Sequence, residues 1–242
     1  MSARTQGQWI DIPTSDGTFG GYLALPPRGP ESGPHAGTGP GIVLIQEIFG
    51  VNDHIRTVAD QYALDGYVVL APDLFWRKGH RVDLGYGPAD FQQGLDLMMG
   101  LDGAKAIADL AATVAVLRAR PELAGKVASI GYCMGGRLSF LAAAHAGVDA
   151  AVSYYGGGID TLLGDAPKIG CPIQFHFAEL DHYIPMAAVD KVRHAFAGRP
   201  EASVHVYPAV DHGFNCWGRA MYHQSAAALA RGRVLQFLAG AL

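Results

Sequence analysis

The residue best placed to do chemistry in this sequence is a cysteine flanked by glycines. Cys133 lies in the segment Gly-Tyr-Cys-Met-Gly-Gly, residues 131–136, between an apolar run and a stretch with helical spacing. Glycines two positions before and after a nucleophile permit a sharp strand-to-helix turn, and the helix N-terminus stabilises negative charge on the sulfur. The pattern predicts a nucleophilic thiol. This segment alone leaves a buried core cysteine open as the alternative, because most free cysteines are of that kind.

Two further residues supply the acid and the base that such a thiol needs. Asp181 follows the apolar run at residues 173–177, and His212 follows the run at residues 204–206. Alone, a loop aspartate is usually a helix cap or a turn former, and a loop histidine is usually solvated. A nucleophile, an acid and a histidine in this chain order, at three strand ends, form a specific pattern. Together they predict a Cys–His–Asp triad.

Other titratable residues fit that pattern less well. The rivals nearest to the predicted triad are Asp211, Glu179 and His182. Histidines inside helical patterns, such as His54, are expected to be partnered or on the surface. Cys171 precedes a proline at a strand start and Cys216 lacks the flanking glycines, so both are expected to be inert.

The elements that must position these residues follow from the apolar pattern. Continuous apolar runs are typical of strands buried on both faces. Six such runs occur, at residues 41–46, 67–71, 127–130, 150–154, 173–177 and 204–206. Apolar residues at three- and four-residue spacing predict helices at residues 53–64, 103–118, 135–146, 186–197 and 219–238, with a short helix outside the sheet at 91–99. The alternation predicts an α/β fold with a mostly parallel central sheet and helices on both faces.

No linker divides this pattern, so we predict one domain over residues 1–242. Residues 9–12 and 18–24 alternate apolar with polar or small positions and predict two strands. With the Gly/Pro-rich loop that follows, these strands make residues 1–40 an N-terminal lead-in. In such sheets a ligand binds beyond the carboxyl ends of the strands, and residues 79–102 are predicted to form a cap there.

Composition and charge narrow the class of protein. Hydrophobic residues make up 50% of the 242 residues, charged residues make up 17%, and the net charge is −4. These values exclude a disordered chain and leave no basic footprint for nucleic acid or for a membrane surface. Three cysteines without a C-x-x-C spacing, and no signal-peptide pattern, predict a cytoplasmic protein. We expect a monomer or small homo-oligomer that takes a small molecule and uses no metal or cofactor, since the sequence lacks the corresponding motifs.

Three segments together resemble one known family. The sequence reads Gln-Glu-Ile-Phe-Gly at residues 46–50, Pro-Asp-Leu-Phe at 72–75 and Gly-Tyr-Cys-Met-Gly-Gly at 131–136. Over nearly the whole chain this resembles the dienelactone hydrolase (carboxymethylenebutenolidase) family, which has the α/β-hydrolase fold. The resemblance implies that Cys133 is the nucleophile, that His212 is its base, and that Asp181 orients the base.

The same resemblance implies roles for residues beside the nucleophile. Glu47 would contact the resting thiol and leave it as substrate binds, which helps to generate the thiolate. The backbone N–H groups of Ile48 and Met134 would form the oxyanion hole.

At one point the sequence departs from the family pattern. The resemblance implies that the founding enzymes of the family hold the substrate carboxylate with two arginines. The corresponding positions in this sequence are Gln92 and Cys216, and neither is an arginine. The candidates to replace these arginines in substrate binding are Arg77, Arg81 and Arg219.

The predicted activity is hydrolysis of a lactone or small carboxylic ester through an acyl-thioester on Cys133. A free thiol has a pKa of about 8.5 and is mostly protonated at neutral pH, so it needs an adjacent base. A broad-specificity carboxylesterase on the same scaffold is the first alternative, because both arginine positions are changed. A non-catalytic binding protein on this scaffold and a redox sensor using Cys133 are the remaining alternatives. The presence of all three triad residues disfavours the binding protein, and the lack of a nearby resolving cysteine disfavours the sensor.

Overall fold

Eight strands form one sheet in the computed structural model, which describes residues 7–28 and 37–242. The strands are β1 Gln8–Thr14, β2 Gly17–Ala24, β3 Gly39–Ile45, β4 Val68–Pro72, β5 Leu123–Tyr132, β6 Ala150–Tyr154, β7 Ile173–Ala178 and β8 Ala202–Tyr207. Their spatial order is β1-β2-β4-β3-β5-β6-β7-β8. β2 pairs antiparallel with β1 and with β4, and all other neighbouring strands pair parallel. This confirms the mostly parallel sheet, while residues 29–36 of the predicted loop lie outside the described residues.

Six α-helices are found in the described part of the chain. They are α1 Asp53–Leu64, α2 Pro88–Met99, α3 Gly103–Arg118, α4 Met134–His145, α5 Met186–Ala195 and α6 Gln224–Ala241. Two short 3-10 helices, Ile159–Thr161 and Leu163–Lys168, lie between β6 and β7. None of these described helices combines the length and the hydropathy that crossing a membrane requires.

The predicted start of the last helix is wrong, because α6 begins at Gln224 and not at residue 219. The chain before it runs in turns, with the Tyr222 N–H donating to the Arg219 carbonyl at 3.1 Å and the His223 N–H donating to the Phe214 carbonyl at 3.0 Å. The His223 ring then accepts from the Ala226 N–H and caps the helix. Arg219 is therefore placed on a turn and not on a helix face.

The middle of the sheet is covered on both faces. Every residue of β4, β6 and β7 is buried. Successive side chains of a strand point to opposite faces, so complete burial requires cover on each side. Helix α4 packs on β5 and β6, and α6 packs on β6 and β7. This double cover is the physical reason for the unbroken apolar runs in the sequence.

The loops after four parallel strands carry the residues that the sequence singles out. Glu47 follows β3, Cys133 follows β5, Asp181 follows β7 and His212 follows β8. β3 and β5 are neighbours, and only β6 lies between β5 and β7. Because parallel strands end at the same edge of the sheet, the fold gathers these four residues there.

Candidate active site

Cys133 lies at a strained turn between β5 and α4. Its backbone has φ 56° and ψ −116°, a conformation that residues other than glycine rarely adopt. A Cβ on Gly131 would lie 1.8 Å from the carbonyl oxygen of Gly135, so the turn requires glycine there. The Cys133 N–H donates to the Tyr154 carbonyl at 3.0 Å and ties the turn to β6. The thiol is thereby held at the N-terminus of α4, where the helix dipole favours a negative sulfur.

Asp181 and His212 form a buried hydrogen-bonded pair. His212 Nδ1 lies 2.8 Å from Asp181 Oδ2. The other carboxylate oxygen, Oδ1, accepts from the N–H groups of Tyr183 at 2.9 Å and Ile184 at 3.1 Å. Both side chains are almost completely buried. The loop after β7 therefore fixes the carboxylate, and the carboxylate fixes the orientation of the imidazole.

The His212 ring and the Cys133 sulfur line the same cavity, and the charge of Cys133 acts on the ring in addition to the Asp181 carboxylate. Burial by itself lowers the pKa of the imidazole. The negative charge on Cys133 and the hydrogen bond with Asp181 outweigh burial and raise the pKa of His212 to about 10. The ring, once protonated, therefore keeps its proton at neutral pH.

Ile48 and Met134, the residues expected to supply the oxyanion hole, both line the cavity that contains Cys133. Met134 is the first residue of α4, so its N–H has no acceptor within the helix. The Ile48 N–H likewise donates to no carbonyl in the part of the chain that the structure describes. Both donors are available to an oxygen atom of a bound molecule.

A cavity of about 460 Å³ opens at the thiol, a size typical of small-molecule sites. One side of it is apolar and comes mostly from α2 and the residue after Gly100, through Phe91, Leu95, Met98 and Leu101. Its polar side chains are Cys133, His212, Tyr183, Arg137 and Arg219. The segment predicted as a cap, residues 79–102, thus borders the cavity through its helix.

Two of the three arginines proposed from the sequence lie elsewhere. Arg77 forms ion pairs with Asp16 at 2.9 Å and with Asp109 at 2.6 Å, and the guanidinium of Arg81 stacks over the Trp9 ring at 4.9 Å. Neither lines the cavity. The prediction that Arg77 or Arg81 binds substrate is therefore corrected, because other groups already hold both side chains.

Two other arginines do reach the cavity. Arg219 lines it, with Nη1 3.3 Å from Glu47 Oε1. Arg137 also lines it and forms no ion pair with the described residues. Sequence reasoning missed Arg137, although its spacing was the signal, because a residue four positions after Cys133 lies one helical turn further along the same face. Gln92 stays outside the cavity and donates to Asp96 at 3.0 Å.

Glu47 is fully buried next to the cavity. Its carboxylate accepts from Arg219 and interacts with the Cys216 thiol. Burial raises the pKa of Glu47, and the neighbouring charges of Arg219 and His212 oppose that rise. The predicted contact between Glu47 and the resting Cys133 thiol is not among its hydrogen bonds in the described residues.

A strained thiol at a strand-to-helix turn, beside a His–Asp pair at the carboxyl edge of a parallel sheet, defines a hydrolase of the α/β-hydrolase fold. The Dienelactone hydrolase family matches this chain over residues 20–242. The chain belongs to the dienelactone hydrolase family and is a hydrolase that acts on lactones or esters.

Relatives from three organisms support that assignment. A candidate carboxymethylenebutenolidase of Azospirillum brasilense is 39% identical over 231 residues, which cover 94% of this chain and 96% of the relative. The carboxymethylenebutenolidase of Pseudomonas putida is 36% identical over 234 residues, 95% of each chain. The crystal structure of a candidate dienelactone hydrolase from Klebsiella pneumoniae subsp. pneumoniae superposes with a TM-score of 0.83 at 30% identity, covering 97% of this chain and 98% of that one.

Proposed function

We propose that Cys133, His212 and Asp181 are the catalytic triad of this hydrolase and that the reaction proceeds through an acyl-thioester. The observation that carries the proposal is the buried His212–Asp181 pair, with 2.8 Å between Nδ1 and Oδ2, whose ring lines the same cavity as the Cys133 thiol. The backbone of Cys133 is held at φ 56°, a strained conformation of the kind that clusters at active sites.

In the first half of the reaction, His212 takes the thiol proton and the Cys133 thiolate attacks the carbonyl carbon of a lactone or ester. The carbonyl oxygen becomes an oxyanion that accepts hydrogen bonds from the N–H groups of Ile48 and Met134. Each of these donors lowers the activation barrier by about 3 kcal/mol. The bond to the leaving oxygen then breaks, and the His212 imidazolium donates its proton to that oxygen. The enzyme is left as an acyl-thioester with a neutral imidazole.

In the second half, the neutral His212 takes a proton from water and the resulting hydroxide attacks the thioester carbon. The carbon–sulfur bond breaks, and the thiolate and imidazolium are restored. The charge on Cys133 is a main cause of the raised pKa of His212, so acylation of the sulfur removes that cause. The same histidine can therefore act as an acid in the first half and as a base in the second.

The central test is the Cys133→Ala variant, with Cys171→Ala as the matched control. Loss of the nucleophile should lower kcat/KM for a lactone and for an aryl ester by at least about 10⁴-fold. The control changes a thiol outside the cavity and should retain its activity. Rapid acid quench of the wild type should give an acyl adduct on the Cys133 peptide that neutral hydroxylamine cleaves. Wild-type hydrolysis by Cys133→Ala would reject the mechanism.

Two features of the cavity favour different substrates. Its apolar side would suit a neutral ester, as in a broad carboxylesterase. Arg137 favours a substrate that bears a carboxylate, because a guanidinium binds a carboxylate through paired, charge-assisted hydrogen bonds. Arg219 is less suited to that role, since Glu47 already binds it. We therefore propose a carboxylate-bearing lactone or ester as the substrate, with the broad carboxylesterase as the second candidate.

The Arg137→Gln variant separates these two candidates. For a carboxylate-bearing lactone, kcat/KM should fall about 10- to 100-fold, mostly through KM, because one charged hydrogen-bonding partner is lost. For neutral p-nitrophenyl acetate the fall should be much smaller. Arg193→Gln, an exposed site on α5, is the control. Equal losses for both substrates would favour the broad carboxylesterase.

A further inference from the structure

A second group of reactive side chains lies buried beside the catalytic cavity. It consists of Glu47, His54 and Cys216, which we call the buried cluster. A carboxylate oxygen, an imidazole nitrogen and the sulfur all lie within 4.8 Å of one another. The three residues are 1%, 3% and 0% exposed. They come from the loop after β3, from α1 and from the loop after β8, so the tertiary fold alone brings them together.

His54 is the unusual member of the cluster. Neither ring nitrogen has a hydrogen-bond partner among the described residues, although both are buried. The ring packs edge-on against Trp217, with centroids 4.1 Å apart. Burial, helped by the positive charge of Arg219, lowers the pKa of His54 to about 4, so the ring is neutral at physiological pH. A neutral imidazole has a lone pair for a ligand, and leaving it unpaired in the interior is unfavourable.

The other two members complement that nitrogen. The Cys216 thiol donates to the Tyr86 hydroxyl at 3.2 Å, and burial raises the pKa of Cys216 to about 12. A buried thiol of this kind loses its proton when a metal coordinates the sulfur. Glu47 shares one carboxylate oxygen with Arg219 through a contact of 3.3 Å. A cation would therefore compete with Arg219 for this carboxylate.

We propose that the buried cluster is a binding site for a thiophilic divalent cation of the Zn²⁺ type. Cys216 Sγ, one ring nitrogen of His54 and a carboxylate oxygen of Glu47 are the three protein ligands. Sulfur, nitrogen and oxygen donors together suit Zn²⁺, whereas Mg²⁺ and Ca²⁺ require oxygen ligands. On binding, the Cys216 proton is released to the buffer, and the thiolate and carboxylate balance the two positive charges. None of its three ligands belongs to the proposed triad, and its test does not depend on the proposed mechanism.

The experiment measures Co²⁺ and Zn²⁺ binding to the Cys133→Ala protein, in which the more exposed thiol of the catalytic cavity cannot bind the metal. Co²⁺ should bind at one equivalent and give the near-ultraviolet thiolate-to-cobalt charge-transfer band. Zn²⁺ should displace it, and competition with a chromophoric chelator gives the affinity. Adding Cys216→Ala should abolish the charge-transfer band, and adding His54→Ala should weaken Zn²⁺ binding by more than about 100-fold, the upper range for losing a supporting residue.

The matched controls change the same residue types outside the cluster, as Cys171→Ala and His145→Ala in the same background. Both should retain the band and the affinity. Melting curves without metal identify variants that fail to fold, and either cluster variant that melts like its parent is sufficient for the test. The proposal is overturned if the Cys133→Ala protein binds no Co²⁺ and no Zn²⁺. It is equally overturned if the band persists in a folded Cys216→Ala variant, or if the controls lose binding to the same extent.

Discussion

Two histidines of this protein are buried to nearly the same extent but differ in their hydrogen-bond partners and in the direction of their pKa shifts. His212 is 4% exposed and His54 is 3% exposed. The ring of His212 bonds the Asp181 carboxylate and is influenced by the charge of Cys133, and its pKa is raised to about 10. The ring of His54 has no hydrogen-bond partner in the described residues, and its pKa is lowered to about 4. Burial opposes the charged form of both rings. At His212 the charge of Cys133 and the hydrogen bond with Asp181 outweigh burial, whereas at His54 the positive charge of Arg219 adds to it.

The two histidines differ in whether their hydrogen-bonding groups already have partners within the protein. At His212 the residue proposed as the base already bonds the proposed acid and lines the same cavity as the proposed nucleophile, so the arrangement needs no added ligand. At His54 the polar atoms face one another without a full set of partners, which suits an added ligand better than a reaction. Glu47 connects the two regions, since its charge acts on His212 and its carboxylate belongs to the buried cluster.

The largest expected effect tests the partnered histidine. His212→Gln should lower kcat by about 10⁴- to 10⁶-fold, because the amide can neither hold the thiol proton nor activate water. His182→Gln is the control, since this exposed ring bonds Asp211 and does not line the cavity. Steady-state hydrolysis of a lactone measures both. If His182→Gln lost as much activity as His212→Gln, the assignment of the base would be wrong.

The next effect concerns the charge state of the Cys133–His212 pair. With the pKa of His212 raised to about 10, the imidazolium persists across neutral pH and is lost only as the pH rises toward that value. Iodoacetamide should therefore alkylate Cys133 at pH 7 about thirtyfold faster in the wild type than in His212→Gln, where an ordinary thiol is only a few per cent ionised. The rates of both proteins are compared across a range of pH. Peptide mass spectrometry of timed samples gives both profiles, and identical profiles would show that His212 does not ionise the thiol.

The sequence could predict the sheet and the positions of the reacting groups because both follow from local patterns. Double burial leaves an unbroken apolar run, as at β6 and β7, and a residue just after such a run must lie at the ligand edge. That reasoning places Cys133, Asp181 and His212 together before any coordinates are known. Their catalytic roles remain a prediction for the experiments above.

The sequence could not predict which side chains reach the cavity, because the contacts of a side chain depend on residues that are distant in the chain. Whether an arginine reaches the cavity was decided for Arg77 by Asp16 and Asp109, which lie on a turn and on α3. The expectation that His54 would be partnered or exposed is wrong for a similar reason. Trp217 covers its ring, and that tryptophan is distant in the sequence.

The smallest expected effect is on stability, and it compares His54 with a third buried histidine. His176 Nδ1 lies 2.8 Å from the Tyr207 hydroxyl and Nε2 lies 2.9 Å from Gln174 Oε1. His176→Leu should lower the free energy of unfolding by about 2 kcal/mol, because it leaves those buried groups unsatisfied. His54→Leu in metal-free protein should raise it by about 1 kcal/mol, because an unpaired polar ring is replaced by an apolar side chain of similar size. Urea denaturation measures both. A loss of stability in His54→Leu equal to that in His176→Leu would mean that the His54 ring already has a partner, and the distinction between the two regions would fail.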